Sequence, residues 1–226
     1  MRGVLSIASV LARVSQLVFQ RALRRSDYKR WTDLENLYAW WDTRTEKLAR
    51  LVPPGSRVLE LGAGRRQLER FLDPSCVYFP SDLAAHDSDT IVFDLNVRPL
   101  PNLRHIQADV AVLGGVLEYI RDVPSLAQWL SGQARVTVAS YDYVKSRPLT
   151  WERLVELLRR SYSGYLNSYT TRELAAIFAR AGLQWVKTDT WNSQQLFVFA
   201  SSSHSLGQMD GETQARAEVE AQCVES

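Results

Sequence analysis

The chain has 226 residues, of which 46% are hydrophobic and 23% charged, with a formal net charge of +2. This is ordinary globular composition, long enough for one core of roughly 150–200 residues plus appendages, and a charge so near zero makes no global case for nucleic acid. Cys76 and Cys223 lie far apart, and His86, His105 and His204 show no ligand spacing, which excludes a disulfide framework or cysteine–histidine metal cluster and points to a reducing, cytoplasmic setting.

The charge is unevenly placed. Residues 1–30 carry six Arg and one Lys against Asp27 alone, a net of +6. Val4, Ile7, Leu11, Val14, Leu17 and Val18 recur there at three- and four-residue spacings, which describes an amphipathic helix with basic residues beside its apolar stripe. Arg13, Gln16, Gln20 and Arg21 interrupt the segment, so no apolar run approaches the ~20 residues a membrane span needs. Residues 1–25 therefore cap the core, pack on another subunit in a homodimer, or make peripheral membrane contact.

A second helical region is expected from about Trp31 to Leu51, ended by Pro53-Pro54-Gly55. The apolar run Val58-Leu59-Glu60-Leu61 then reads as a strand, Gly62-Ala63-Gly64 as a turn, and Arg65 to Leu72 as an amphipathic helix. Glycines at such a turn let backbone approach a ligand closely. Further strands are expected at Val77–Asp82, Thr90–Leu95, Ala108–Leu113 and Ala134–Ser140, with a helix around Pro124–Leu130. Helices follow at Thr150–Ser161 and Thr171–Ala181, the second capped by Thr170 or Thr171 and stopped by Gly182. Leu183–Thr190 and Gln194–Ala200 form a closing hairpin turned by Trp191-Asn192-Ser193. From Ser201 onward the chain is polar and acidic, with a net charge of −4, and is expected to be a disordered tail.

Strands alternating with helices predict a parallel sheet with right-handed crossovers. Glu60-Leu61-Gly62-Ala63-Gly64, Asp82, Asp94-Leu95, Gly115 to Asp122, and Thr171-x-Glu173-Leu174 leading into Ala181-Gly182-Leu183 occur in that order over roughly residues 51–200. In this the sequence resembles the class I S-adenosylmethionine-dependent methyltransferases. The resemblance implies a Rossmann-like three-layer α/β/α sandwich. Its sheet would be seven-stranded and mostly parallel, with a C-terminal antiparallel hairpin, N-terminal helices over 1–50 as a cap or lid, the methyltransferase domain over 51–200 and the tail over 201–226.

The resemblance also implies roles. Gly62, Ala63 and Gly64 would let backbone approach the amino-acid end of S-adenosylmethionine, with Glu60 organising its ammonium. Asp82, with Leu83 beside it, would accept the ribose hydroxyls. Asp94 would receive the adenine amino group, with the Leu95 backbone reading the ring edge. Gly114 and Gly115 would keep the exit of the fourth strand clear, and Leu117 to Ile120 would line the cofactor's edge. Asp82 also reads as a loop carboxylate or helix cap, and Asp94-Leu95-Asn96 as plain turn chemistry. Arg66 stands where the family often has a third glycine, positioned to crowd the cofactor or to pair with Glu69 or Glu118.

Methyl transfer to oxygen needs a proton removed. Asp142, Tyr141 and His86 are the candidate catalytic groups; Tyr141 packed in a loop and His86 at the surface are the plainer readings. Two aromatic–polar clusters are candidates for the acceptor pocket. One contributes Trp41 and Arg44, the other Tyr165, Asn167 and Tyr169, and Tyr143 lies beside Asp142. No metal is called for. The acceptor expected is a small molecule, methylated on oxygen or nitrogen, with a sugar or lipid-linked intermediate as an extension, and no nucleic acid. The alternative is a methyltransferase-fold module that binds or scaffolds without catalysis.

Overall fold

In a computed structural model the described residues are 39–144 and 151–201, together with Trp31. The amphipathic segment expected in residues 1–25 and the acidic tail lie outside them.

Seven strands form one sheet in the order β3-β2-β1-β4-β5-β7-β6. They are β1 (Arg57–Leu61), β2 (Val77–Asp82), β3 (Ile91–Val92), β4 (Ala108–Leu113), β5 (Ala134–Tyr141), β6 (Leu183–Trp191) and β7 (Gln194–Ser201). β1 to β5 pair in parallel, whereas β7 runs antiparallel to both β5 and β6. The central strands read as nearly unbroken apolar runs because both faces of a parallel sheet are covered.

The helices are α1 (Asp42–Ala49), α2 (Gln67–Phe71), α3 (Val123–Leu130), α4 (Trp151–Tyr162) and α5 (Thr171–Arg180). Alternation along the strands divides the core in two. Leu59, Leu61, Ala111, Leu113, Phe197 and Phe199 bury against α3 and α5. Val58, Val110, Val112, Val138 and Leu196 bury against α1 and α2, where Leu48 is 1% exposed. Burying one such side chain stabilises the fold by about 1.5–3 kcal/mol. Asp122 caps α3 by accepting the Ser125 N–H at 3.0 Å. Thr170 and Glu173 form a reciprocal capping box on α5, and Gly182 follows it with φ +84°.

Two elements are shorter than the sequence predicts. β3 keeps only Ile91–Val92 of the expected Thr90–Leu95, because Asp94 Oδ1 accepts the Asn96 N–H at 2.7 Å and Asp94 O accepts the Val97 N–H at 3.0 Å, turning the chain away from the edge. The helix after the glycine turn begins only at Gln67, since Arg66 is left-handed with φ +55°.

α1 joins distant parts of the fold. Lys47 pairs with Asp189 at 3.1 Å and the Trp191 indole donates to Thr43 Oγ1 at 2.8 Å. Trp40 stacks on Trp191 with ring centroids 5.1 Å apart, while Trp41 packs on the core. At the helix's other side Arg65 pairs with Asp42 at 2.9 Å. α1 thus spans from the glycine turn to the terminal hairpin.

Candidate active site

All five parallel strands end at one edge of the sheet, which sets the exits of β3, β2, β1, β4 and β5 side by side in that order. Gly62 and Gly64 follow β1 with φ +79° and +51°. The turn is tied to β2: the Gly62 and Ala63 N–H groups donate to Ser81 O at 2.9 and 3.0 Å. Asp82, buried at the end of β2, uses both carboxylate oxygens: Oδ2 accepts the Gly64 N–H and Oδ1 the Leu83 N–H, each at 2.6 Å. A Cβ on Gly62 would sit 2.6 Å from Val116 Cγ2, so the positive φ and the close neighbour both require glycine.

Arg66 does not reach Glu118. It pairs with Glu69, Asp87 and Asp89 at 3.0, 3.3 and 2.7 Å, and its guanidinium lies 5.4 Å from the Tyr78 ring. Of the expected partners it takes Glu69, and its further pairs with Asp87 and Asp89 strap the turn to the loop between β2 and β3. Asp94, at the β3 exit, caps its own turn, and Leu95 is buried beneath it.

Three buried ionisable side chains surround the β1 and β4 exits. Glu60 accepts a short hydrogen bond from the Tyr78 hydroxyl, and burial pushes its carboxyl up to about 8. Glu118 Oε1 accepts the Asp142 N–H at 2.8 Å, Oε2 has no partner among the described residues, and burial raises its pKa as well. Arg44 projects from α1 over Gly115: a Cβ there would sit 2.9 Å from Arg44 Cζ. Its guanidinium donates to Gly114 O at 3.1 Å and to Gln194 Oε1 at 3.3 Å, while Nε has no partner among the described residues. Burial lowers its pKa against the attraction of Glu118 and Glu60. It lies 5.6 Å from the ring centroids of both Trp41 and Trp191.

Beyond β5, Asp142 is buried and held from α4. Arg159 Nη2 donates to its Oδ2 at 2.8 Å, the Tyr165 hydroxyl to the same oxygen at 3.3 Å, and Arg160 Nη1 to its carbonyl at 2.7 Å. Tyr141 and Asn167 turn inward to each other. The Tyr141 hydroxyl donates to Asn167 Oδ1 at 2.6 Å and accepts the Tyr169 N–H at 2.8 Å. Asn167 Nδ2 donates to Leu117 O and Ile120 O at 2.6 and 2.7 Å. This network locks the segment after α4 onto the turn after β4, and Tyr143 and Tyr169 pack against the same core. Tyr165 keeps its ring at the edge, 5.4 Å from Tyr119, which in turn meets Trp31 at 4.5 Å.

The structure therefore gathers Glu60, the glycine turn, Asp82, Gly114, Gly115 and Arg44 around the β1, β2 and β4 exits. It brings Asp142 to Tyr165. It leaves His86 in the β2–β3 loop, across β1 from β4 and β5. Sequence reasoning passed over Arg159, Arg160 and Trp31. Arg160, only 2% exposed, had no signal, because a basic residue late in a helix ordinarily faces water. Among the described residues no group of three or more His, Cys, Asp or Glu side chains could hold a metal ion.

A family model for a methyltransferase domain matches residues 19–188. No curated protein matches the sequence. Among solved structures, human N-acetylserotonin methyltransferase in complex with SAM is 13% identical with a TM-score of 0.60, over 85% of this chain and 66% of that one. The mitomycin 7-O-methyltransferase is 14% identical with a TM-score of 0.60, over 85% of this chain and 67% of that one. The 1,6-didemethyltoxoflavin-N1-methyltransferase of Burkholderia thailandensis, with bound 1,6-didemethyltoxoflavin and S-adenosylhomocysteine, is 15% identical with a TM-score of 0.55, over 89% of this chain and 93% of that one. The chain thus spans about two thirds of the length of the first two and nearly all of the third. At such identities these likenesses concern the fold, and the family assignment rests on the domain match across three quarters of the sequence. With its glycine turn, the carboxylate beside it and its antiparallel terminal strands, this chain belongs to the class I S-adenosylmethionine-dependent methyltransferases.

Proposed function

We propose that the chain transfers a methyl group from S-adenosylmethionine to an oxygen or nitrogen of a small-molecule acceptor. The observation that carries this reading is the bridge Asp82 makes between the glycine turn and the loop after β2. It holds a carboxylate, two left-handed glycines and two backbone segments at one sheet edge, where open α/β sheets bind nucleotide-like groups. When bound, S-adenosylmethionine supplies a methyl group already activated by its sulfonium. The protein's part is alignment and exclusion of water.

In this reading the backbone of Gly62, Ala63 and Gly64 accommodates the amino-acid end, and Glu60, protonated in the free protein at neutral pH, gives up its proton to answer the ammonium. Asp82, beside Leu83, keeps unused lone pairs for the ribose hydroxyls, since each carboxylate oxygen can accept twice. Asp94 and the Leu95 backbone address the adenine, while Gly114 and Gly115 leave room at the β4 exit. Arg44 is a buried cation whose hydrogen-bond acceptors among the described residues are an amide oxygen and a carbonyl, so it suits an anionic group of a ligand. The aromatic edge of Tyr165 and Tyr119 suits a ring or a sugar, with Trp41 and Tyr143 as further acceptor-side candidates. Asp142 is the carboxylate best placed to receive an acceptor proton, and Arg159 and Tyr165 fix its orientation. Tyr141, Asn167 and Tyr169 serve the site by locking its frame. A sugar or lipid-linked acceptor falls within the same proposal.

Calorimetric titration with S-adenosylhomocysteine tests the reading, with NAD as the control. Binding on the order of micromolar, about −8 kcal/mol, is the expected result. A folded chain that gives no heat with S-adenosylhomocysteine overturns it.

A further inference from the structure

β3 and β4 are not neighbours. The order β3-β2-β1-β4 puts two strands between them, a separation of about 14 Å at about 4.8 Å per strand. The segments that leave the two strands nevertheless meet, and one side chain joins them. Asn96 Nδ2 donates to Tyr119 O and Asn96 Oδ1 accepts the Arg121 N–H, both at 2.9 Å. A carbonyl on one side and an N–H on the other leave the amide one orientation, and a carboxylate in its place could not donate to Tyr119 O.

The same residue also reaches back toward β3. Its own N–H is the one that Asp94 Oδ1 accepts at 2.7 Å, and the Arg98 guanidinium holds the intervening carbonyl, Leu95 O, at 2.6 Å. Leu95 shares one buried cluster with Leu117 and Ile120. The chain after β3 thus crosses toward β4, and one amide side chain ties Asp94-Leu95 to the turn over Leu117–Tyr119.

We propose that Asn96 is a positioning residue that makes the site read the base of its nucleoside ligand. It sets the separation between Asp94-Leu95 and the β4 turn, and with it the angle at which the Asp94 carboxylate meets an exocyclic amino group. The inference rests on the methyl-donor reading, which assigns adenine to these two segments. Base discrimination depends on placing the acceptor closely, because a 6-oxo group instead of an amino group sets oxygen against the carboxylate. Without the tie, the turn at Asp94 keeps its own bonds from the Asn96 and Val97 N–H groups. It therefore remains a turn, but one no longer held at a fixed distance from β4.

The test compares S-adenosylhomocysteine with S-inosylhomocysteine, which carries the 6-oxo group, by calorimetric titration. The parent should bind the adenine compound at least about 20-fold tighter, within the range for a hydrogen bond to a charged group. Asn96→Ala should weaken S-adenosylhomocysteine about tenfold and shrink the ratio to less than about fivefold. Asn96→Asp keeps the acceptor for the Arg121 N–H and loses the donor, so it should fall between, and its ratio decides if Asn96→Ala fails to fold. Gln133→Ala is the control. Gln133 Oε1 accepts the Leu103 N–H at 2.8 Å, a similar tie at the opposite edge of the sheet, so its loss should lower the melting temperature and leave the ratio unchanged. A lowered melting temperature with the ratio intact in the Asn96 variants overturns the inference, and so does a parent that binds both compounds equally. If the folded parent binds neither compound, the methyl-donor reading itself has failed and the inference falls with it.

Discussion

Replacing Asp82 with alanine tests the centre of the site, because the structure gives this side chain two separable tasks. Its oxygens accept the Gly64 and Leu83 N–H groups, both at 2.6 Å, in a nearly dry setting. Hydrogen bonds to a charged group contribute about 1.5–3 kcal/mol each. Water entering the vacated space recovers part of that, so Asp82→Ala should cost about 2–4 kcal/mol of stability. For a domain of this size the melting temperature falls by roughly 2–4 °C per kcal/mol, giving a drop of roughly 5–15 °C. Asp82→Asn retains one acceptor oxygen and should lose about half as much. Losing the ribose contacts adds a second effect, about 1.5–3 kcal/mol in S-adenosylhomocysteine affinity, or roughly 10–150-fold. Thermal melts measure the first effect and calorimetry well below the melting temperature measures the second. An unchanged melting temperature refutes the tie between glycine turn and loop. A lowered melting temperature with unchanged affinity refutes the ribose assignment while leaving the fold argument intact.

Glu60 makes stability depend on pH. Its folded pKa of about 8 lies above the ordinary value of 4.5, chiefly through burial, with Asp82 adding to the shift and the Tyr78 hydrogen bond and Arg44 opposing it. The folded state holds the proton between those limits and the unfolded chain does not, so stability should fall as pH rises from about 4.5 to about 8. Glu60→Gln should remove that slope in melts across the range, and an identical slope in the variant refutes the account. Arg66→Gly relieves a left-handed residue but loses three partly exposed ion pairs, so stability should change by less than about 1 kcal/mol. The same variant should speed amide exchange in residues 83–90, and unchanged exchange there means the strap does not hold the loop. Asn167→Ala strands two carbonyls and the Tyr141 hydroxyl in the core, at about 1–3 kcal/mol each before relaxation. It should lower the melting temperature sharply, and a stable variant with only a raised acceptor KM would move Asn167 from the frame to the acceptor pocket.

The strands were legible because a sheet covered on both faces demands unbroken apolar runs, and Val58–Leu61 and Ala108–Leu113 supply them. α5 was legible from Thr170, Glu173 and Gly182, since caps and stops are local chemistry. The glycine turn and Asp82 were legible as a motif, though nothing in their spacing announced that Asp82 would hold the turn itself. Interactions that span long stretches of chain were not legible. The insertion of β7 between β5 and β6, the docking of α1 on Trp191, and the internal pairing of Tyr141 with Asn167 depend on residues 26 to 148 positions apart. A local pattern records only what its neighbours need. For that reason Asn167 read as an acceptor-side group and Tyr141 as either catalytic or packed, when they are each other's partners, and the buried Arg160 was passed over.

The strand order also dictates when this molecule can first work. β5 has its open side covered only by β7, whose Leu196, Phe197 and Phe199 are fully buried. Arg44 over Gly115 reaches Gln194, and Lys47 reaches Asp189. During synthesis, then, five strands can lie together while β5 still presents an unpaired edge and the roof over the β4 exit has nothing to rest on. Neither is resolved until residues 183–201 have left the ribosome and β7 has paired with β5, with β6 added outside it. Such a dependence on late, distant pairing slows folding and leaves an open edge exposed meanwhile. The nascent chain is thus at its most vulnerable to self-association just before its last two strands emerge, and a truncation short of Gln194 should yield aggregate rather than a smaller, working domain.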